Sequence, residues 1–198
     1  MDKILLINTH SFSNHVQMVD AINESKRTQV FCTYTQYSHF LDFDVFKKYN
    51  HKAGKDPHRI YGDTIFNNLS FHCFDMCKYI KIIHFIGRPE YVITNLVENN
   101  KMTIESACLH YVFRLRRICE IAYRTDNMLF FSYEDLFNKN FNDKMNNFLN
   151  DKIGEIKGDF QPAPKATGEL KKAIDDCGRS YEKFYLFLKE REKLAIKV

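Results

Sequence analysis

Short apolar runs alternate with amphipathic stretches along this chain. Residues 3–8 form an apolar run that ends in polar turn residues, the pattern of a buried strand. Residues 14–25 have helical spacing, with Val16, Val19, Ala21 and Ile22 to one side. Residues 27–35 are rich in strand formers (Val30, Phe31, Cys32, Tyr34) and predict a second strand. Residues 38–49 read as a helix with Phe40, Leu41, Val45 and Phe46 as its apolar face, and 50–61 as a polar loop near a substrate entrance. Helical periodicity returns over 64–77 through Ile65, Leu69, Cys73 and Phe74.

The clearest pattern follows. Residues 81–86 form a central strand that breaks at Gly87-Arg88-Pro89. Pro89 suits the first turn of a helix that continues to about residue 99. A long helix is predicted over 103–124, with Thr103 as N-cap and Glu105 and Ser106 in its first turn. Residues 128–132 form another buried strand, 133–150 a helix, 158–164 a loop, and 167–196 a final amphipathic helix or helix pair. Strands alternating with helices predict an α/β fold with a mainly parallel central sheet.

Composition narrows the class. A chain of 198 residues suits one domain, here residues 1–198, with its own core. Few Gly and Pro argue against a disordered chain. A net charge of +4 fits an anionic small-molecule partner and lacks the dense basic stripe of a nucleic-acid binder. No apolar run reaches the length of a membrane span, so no membrane partner is expected. Six scattered cysteines lack the spacing of a disulfide scaffold and read as reduced, buried thiols, which points to a cytoplasmic protein. His72, Cys73 and Cys77 could supply metal ligands, and Cys73 and Cys77 share a helical face, but no second pair at zinc spacing follows, so no metal is expected.

An anion commonly sits where a strand of such a sheet ends and a helix begins, because free backbone N–H groups point outward there. Two places qualify. One is the loop Asn8-Thr9-His10-Ser11-Phe12-Ser13-Asn14-His15; the other is Gly87-Arg88-Pro89, where an arginine strengthens the case for phosphate or sulfate. The bland alternatives are an ordinary polar loop and a solvated helix-start arginine. Arg114, Arg116, Arg117 and Arg124 give the long helix a basic side, which reads best as solvated or paired with acids such as Glu120.

Two segments, IKIIHFIGRPEYVITNLVE and FRLRRICEIAYRTDNMLFFSYEDL, resemble the sulfotransferase family, best over residues 79–149. Ser132-Tyr133-Glu134-Asp135-Leu136 matches that family's strand-end pattern YEDL. The resemblance implies a three-layer αβα sandwich of the P-loop-NTPase-like sulfotransferase type. It implies transfer of a sulfuryl group from PAPS, leaving PAP, to a hydroxyl or amine of an unknown acceptor. It places the 5′-phosphosulfate on Ser11, Phe12, Ser13, Asn14 and His15, and the 3′-phosphate on Arg88 with Thr94 and Asn95. His58, Asp63 and His10 are the candidate bases. The chain departs from the family at three basic positions, now Phe12, Gly87 and Thr64. His10 or His15, when protonated, is expected to replace part of that charge. Two alternatives are a scaffold protein that kept the fold without the chemistry, and a P-loop phosphotransferase. The missing Walker lysine argues against the second. Asp63 reads equally well as the N-cap of a following helix.

Overall fold

A computed structural model describes residues 4–10, 15–31, 40–41, 60–65, 68–69 and 81–195. Strand β1 (Ile4–Thr9) leads to helix α1 (Val16–Asn23) and strand β2 (Thr28–Phe31). Strands β3 (Phe40–Leu41), β4 (Ile60–Ile65), β5 (Asn68–Leu69) and β6 (Lys81–Ile86) follow. Then come helices α2 (Pro89–Glu98) and α3 (Ile104–Tyr123), and strand β7 (Met128–Ser132). A 3-10 turn (Tyr133–Phe137), helix α4 (Phe141–Leu149) and helix α5 (Gly168–Ala195) complete the order of the described elements.

Five strands form one sheet in the order β2-β4-β1-β6-β7, and each pairing is parallel. Both faces are covered, which is why β6, apart from Lys81 and His84, and β7 up to Ser132 read as apolar runs rather than alternating ones. On one face Leu5, Ile7, Ile83, Phe85, Leu129 and Phe131 pack against Met18 and Ile22 of α1 and Met145 and Leu149 of α4. On the other, Ile86, Met128 and Phe130 pack against α2, α3 and α5 through residues such as Leu96, Leu115, Ile118 and Leu188. The layers are therefore helix, sheet, helix, as an α/β class requires.

Several sequence expectations need correction. Phe40–Leu41 is extended and pairs with Asn68–Leu69, where helices were expected over 38–49 and 64–77. Residues 60–65 are strand, so Asp63 lies inside β4 opposite Leu6 and Phe31 and is no helix N-cap. Phe40, Leu41, Ile65 and Leu69 fit helix and strand spacing alike, and strand pairing decides. The segment after Ser132 is not one helix. Asp135 accepts from both the Ser132 N–H (2.8 Å) and hydroxyl (2.9 Å), which fixes a short turn before α4 begins. Asn150 then ends α4 in a left-handed conformation (φ 51°), which asparagine tolerates.

Helix α5 guards the exposed edge of the sheet. Glu192 is buried, accepts the Phe130 N–H of edge strand β7 at 2.7 Å, and pairs with Lys144 at 2.7 Å. A charged side chain thus fills a backbone position that another strand would otherwise take. Arg191 reaches the carbonyls of Ala122, Tyr123 and Thr125, closing the end of α3 with a cation where the helix dipole favours one. Thr103 caps the other end, accepting the Ser106 N–H at 3.2 Å.

No helix among the described residues is long and apolar enough to cross a membrane. Cys108, Cys119 and Cys177 are free thiols. Cys32, Cys73 and Cys77 lie outside the described residues, as does His72.

Candidate functional site

The chain leaves β1 toward β2 and β4 on one side of the sheet, then crosses to β6 and continues to β7 on the other. The carboxyl ends of β1 and β6 therefore flank a topological switch point, the usual ligand crevice of open parallel sheets. Asn8 and His84 are register partners there, and both are fully buried.

Arg114 of α3 comes into this place. Its Nη2 donates to Asn8 Oδ1 at 2.6 Å and its Nε to the Thr9 carbonyl at 3.0 Å. Asn8 therefore turns its amide nitrogen toward His84 Nδ1, 3.1 Å away. Nδ1 must accept, so the His84 proton resides on Nε2, a buried N–H with no hydrogen-bond partner. A relay of Arg114, Asn8 and His84 thus runs across two strands. Burial, and then the charge of Arg117, draw the Arg114 pKa down to about 9, which leaves it a cation at neutral pH.

His10 follows β1 and is buried. Its ring stacks on Tyr111 with centroids 4.8 Å apart, and its Nε2 lies 3.4 Å from the Tyr111 carbonyl. Nε2 is the donor there, so Nδ1 keeps a bare lone pair with no partner. Tyr111 in turn donates its hydroxyl to the Gly87 carbonyl at 2.9 Å, tying α3 to the break after β6. Burial, reinforced by the nearby Arg114 charge, lowers the pKa of both His10 and His84 to about 3. Burial alone lowers His15, the residue before α1, to about 4. The expectation that His10 or His15 supplies positive charge is corrected: both are neutral at pH 7, and the cation at this end of β1 is Arg114. A neutral His10 keeps a lone pair for a proton, but a pKa so low makes it a weak base.

Arg88 is the N-cap of α2, in an extended conformation, with Pro89 at the first helical position. Its Nε pairs with Glu134 Oε1 at 2.6 Å. Thr94 is buried and its hydroxyl has no partner. Asn95 donates to the Tyr91 carbonyl at 2.8 Å and accepts from Asn99 at 2.6 Å, so both its polar ends serve α2 itself. Two helical turns separate it from Arg88, roughly 10 Å along the axis. The structure therefore does not bring Asn95 to Arg88. Ser11, Phe12, Ser13, Asn14 and His58 lie outside the described residues, and Asp63 is placed by its backbone only.

The basic side of α3 divides. Arg116 and Arg117 pair with Glu120 at 3.4 and 2.5 Å, as expected. Arg114 instead joins the buried stripe of Ala107, Tyr111, Leu115, Ile118 and Ala122. That placement was readable: a lone arginine stood at an apolar position of the helical repeat.

No family model, no curated protein and no solved structure matches the chain. Among the described residues no group of three or more His, Cys, Asp or Glu is placed to hold a metal ion. What the arrangement offers is a fixed buried cation, a neutral imidazole lone pair and a helix start with an arginine, all toward one end of the sheet. That set suits an anion better than a metal.

Proposed function

We propose that this protein is a sulfotransferase-like enzyme that holds PAPS at the carboxyl ends of β1 and β6 and serves sulfuryl transfer to a hydroxyl or amine. The observation that carries this reading is the Arg114 guanidinium. It is a buried cation bonded to Asn8 and Thr9, at the root of the loop the family resemblance assigns to the 5′-phosphosulfate. PAPS, when bound, supplies the sulfuryl group. The residues of this chain supply position and charge, which such transfers need more than covalent chemistry. Arg88 would hold the 3′-phosphate at the start of α2. Thr94 keeps an unpartnered buried hydroxyl whereas both polar ends of Asn95 are engaged, but it lies about 9 Å along α2 from Arg88, nearly as far as Asn95.

A second reading, a nucleotide-independent scaffold of the same fold, draws on two observations. Arg88 is already engaged by Glu134, and His10 is a weak base. Calorimetric titration separates the two. The enzyme reading expects micromolar PAP binding, no response to ATP with Mg²⁺, and a loss of about tenfold in Arg88→Ala, about 1.4 kcal/mol. No PAP binding at millimolar concentration would favour the scaffold. Mg²⁺-dependent ATP binding would instead point to a phosphotransferase.

A further inference from the structure

Beyond the end of β7, the short turn and α5 flank an open cleft of about 420 Å³ that contains Arg88. Three carboxylates, Glu134, Asp135 and Glu182, line it as well, with Tyr181 and Tyr185. Arg88 does not face this space alone. Glu134 Oε1 forms an ion pair with its Nε at 2.6 Å, and Tyr181 of α5 lines the same space. The Glu134 side chain is 29% exposed, and its other oxygen, Oε2, has no hydrogen-bond partner. Its neighbour Asp135 is held differently, by the Ser132 N–H and hydroxyl and by Lys189 at 3.5 Å. The backbone of the turn is thus anchored by Asp135, while Glu134 is tied mainly through Arg88.

We infer that Glu134 is an internal competitor for Arg88, standing where a phosphomonoester dianion of the ligand would bind. The inference rests on the nucleotide reading above. A guanidinium presents its donors as a planar fork that fits a carboxylate or a phosphate equally well. With Glu134 on the Nε edge, an arriving phosphate meets a partly neutralised site and a nearby negative charge. Rotation of the Glu134 side chain frees that edge without moving the turn, because Asp135 keeps its own hydrogen bonds. Glu134 therefore sets how strongly the site takes a dianion, and Arg88 transmits the effect.

The test is a calorimetric cycle with PAP on the full chain, using wild type, Glu134→Gln, Arg88→Ala and the double variant. Competition predicts PAP binding at least about fivefold tighter in Glu134→Gln, about tenfold weaker in Arg88→Ala, and no difference between the double variant and Arg88→Ala. Equal or weaker binding in Glu134→Gln, with wild type still binding, overturns the competition and leaves the nucleotide reading standing. A gain that survives in the Arg88→Ala background also overturns it, since the effect would then bypass Arg88. Absence of PAP binding in every variant overturns both. Thermal melts of each variant check folding, and Glu134→Ala replaces Glu134→Gln if the amide fails to fold.

Discussion

Arg114→Met is expected to cost the fold about 3–5 kcal/mol and to abolish PAP binding. Two hydrogen bonds from a charged donor are lost, each worth about 1.5–3 kcal/mol, and their acceptors stay buried. Those acceptors are Asn8 Oδ1 and the Thr9 carbonyl. Methionine fills most of the volume, so the loss is polar rather than a cavity effect. For a chain of this size the melting temperature should fall by roughly 10 °C or more. A second readout is specific to the charge. Arg114 contributes to the low pKa of His10 and His84, so both imidazoles should titrate at higher pH in the variant. A loss below about 1 kcal/mol, with unchanged histidine titration, would mean that Arg114 is not the buried cation of the switch point.

Acid should destabilise the protein well before its carboxylates titrate. His10 and His84 have pKa values near 3 in the fold and 6.5 when exposed. Between these values the unfolded chain binds protons that the folded chain refuses, so stability rises with pH there. The sign follows: stability is full above pH 6.5, declines as pH falls below it, and the loss is complete only below about pH 3. At pH 5.5 the two side chains together cost about 3 kcal/mol relative to pH 7.5. His15, held near 4, adds in the same direction. Urea unfolding at the two pH values measures the change. His84→Gln, whose side-chain oxygen still accepts from Asn8, should remove about 1.4 kcal/mol of the difference, roughly a third once His15 is counted. Signals of His10 and His84 titrating near 6.5 in the folded protein would contradict this expectation.

How legible each part was depends on how local its cause is. Strands β1, β6 and β7 are short, mostly apolar runs bounded by turn residues, and their length of five or six residues suits a strand rather than a helix. Pro89, Thr103 and the stripe through Tyr111 and Ile118 likewise announce α2 and α3. The apolar residues at 40–41, 64–65 and 68–69 satisfy both periods, and pairing between distant strands decides the outcome there. At the site, Arg88 was visible as a strand-end arginine. Its engagement by Glu134 was not, since only the approach of β6 to β7 brings the two together. Arg114 was grouped with Arg116 and Arg117 by charge, whereas its position in the apolar stripe marked it as the buried one. The neutral state of His10 is a matter of burial, which neighbours in space determine.

The central claim is that an anionic nucleotide binds where β1 and β6 end. Hydrogen exchange of backbone amides with and without PAP tests it most directly. Bound PAP should slow exchange in peptides covering residues 8–16 and 86–94 and leave the outer face of α3 around Arg116 and Tyr123 unchanged. Protection confined to that outer face, or none anywhere at saturating PAP, would contradict it.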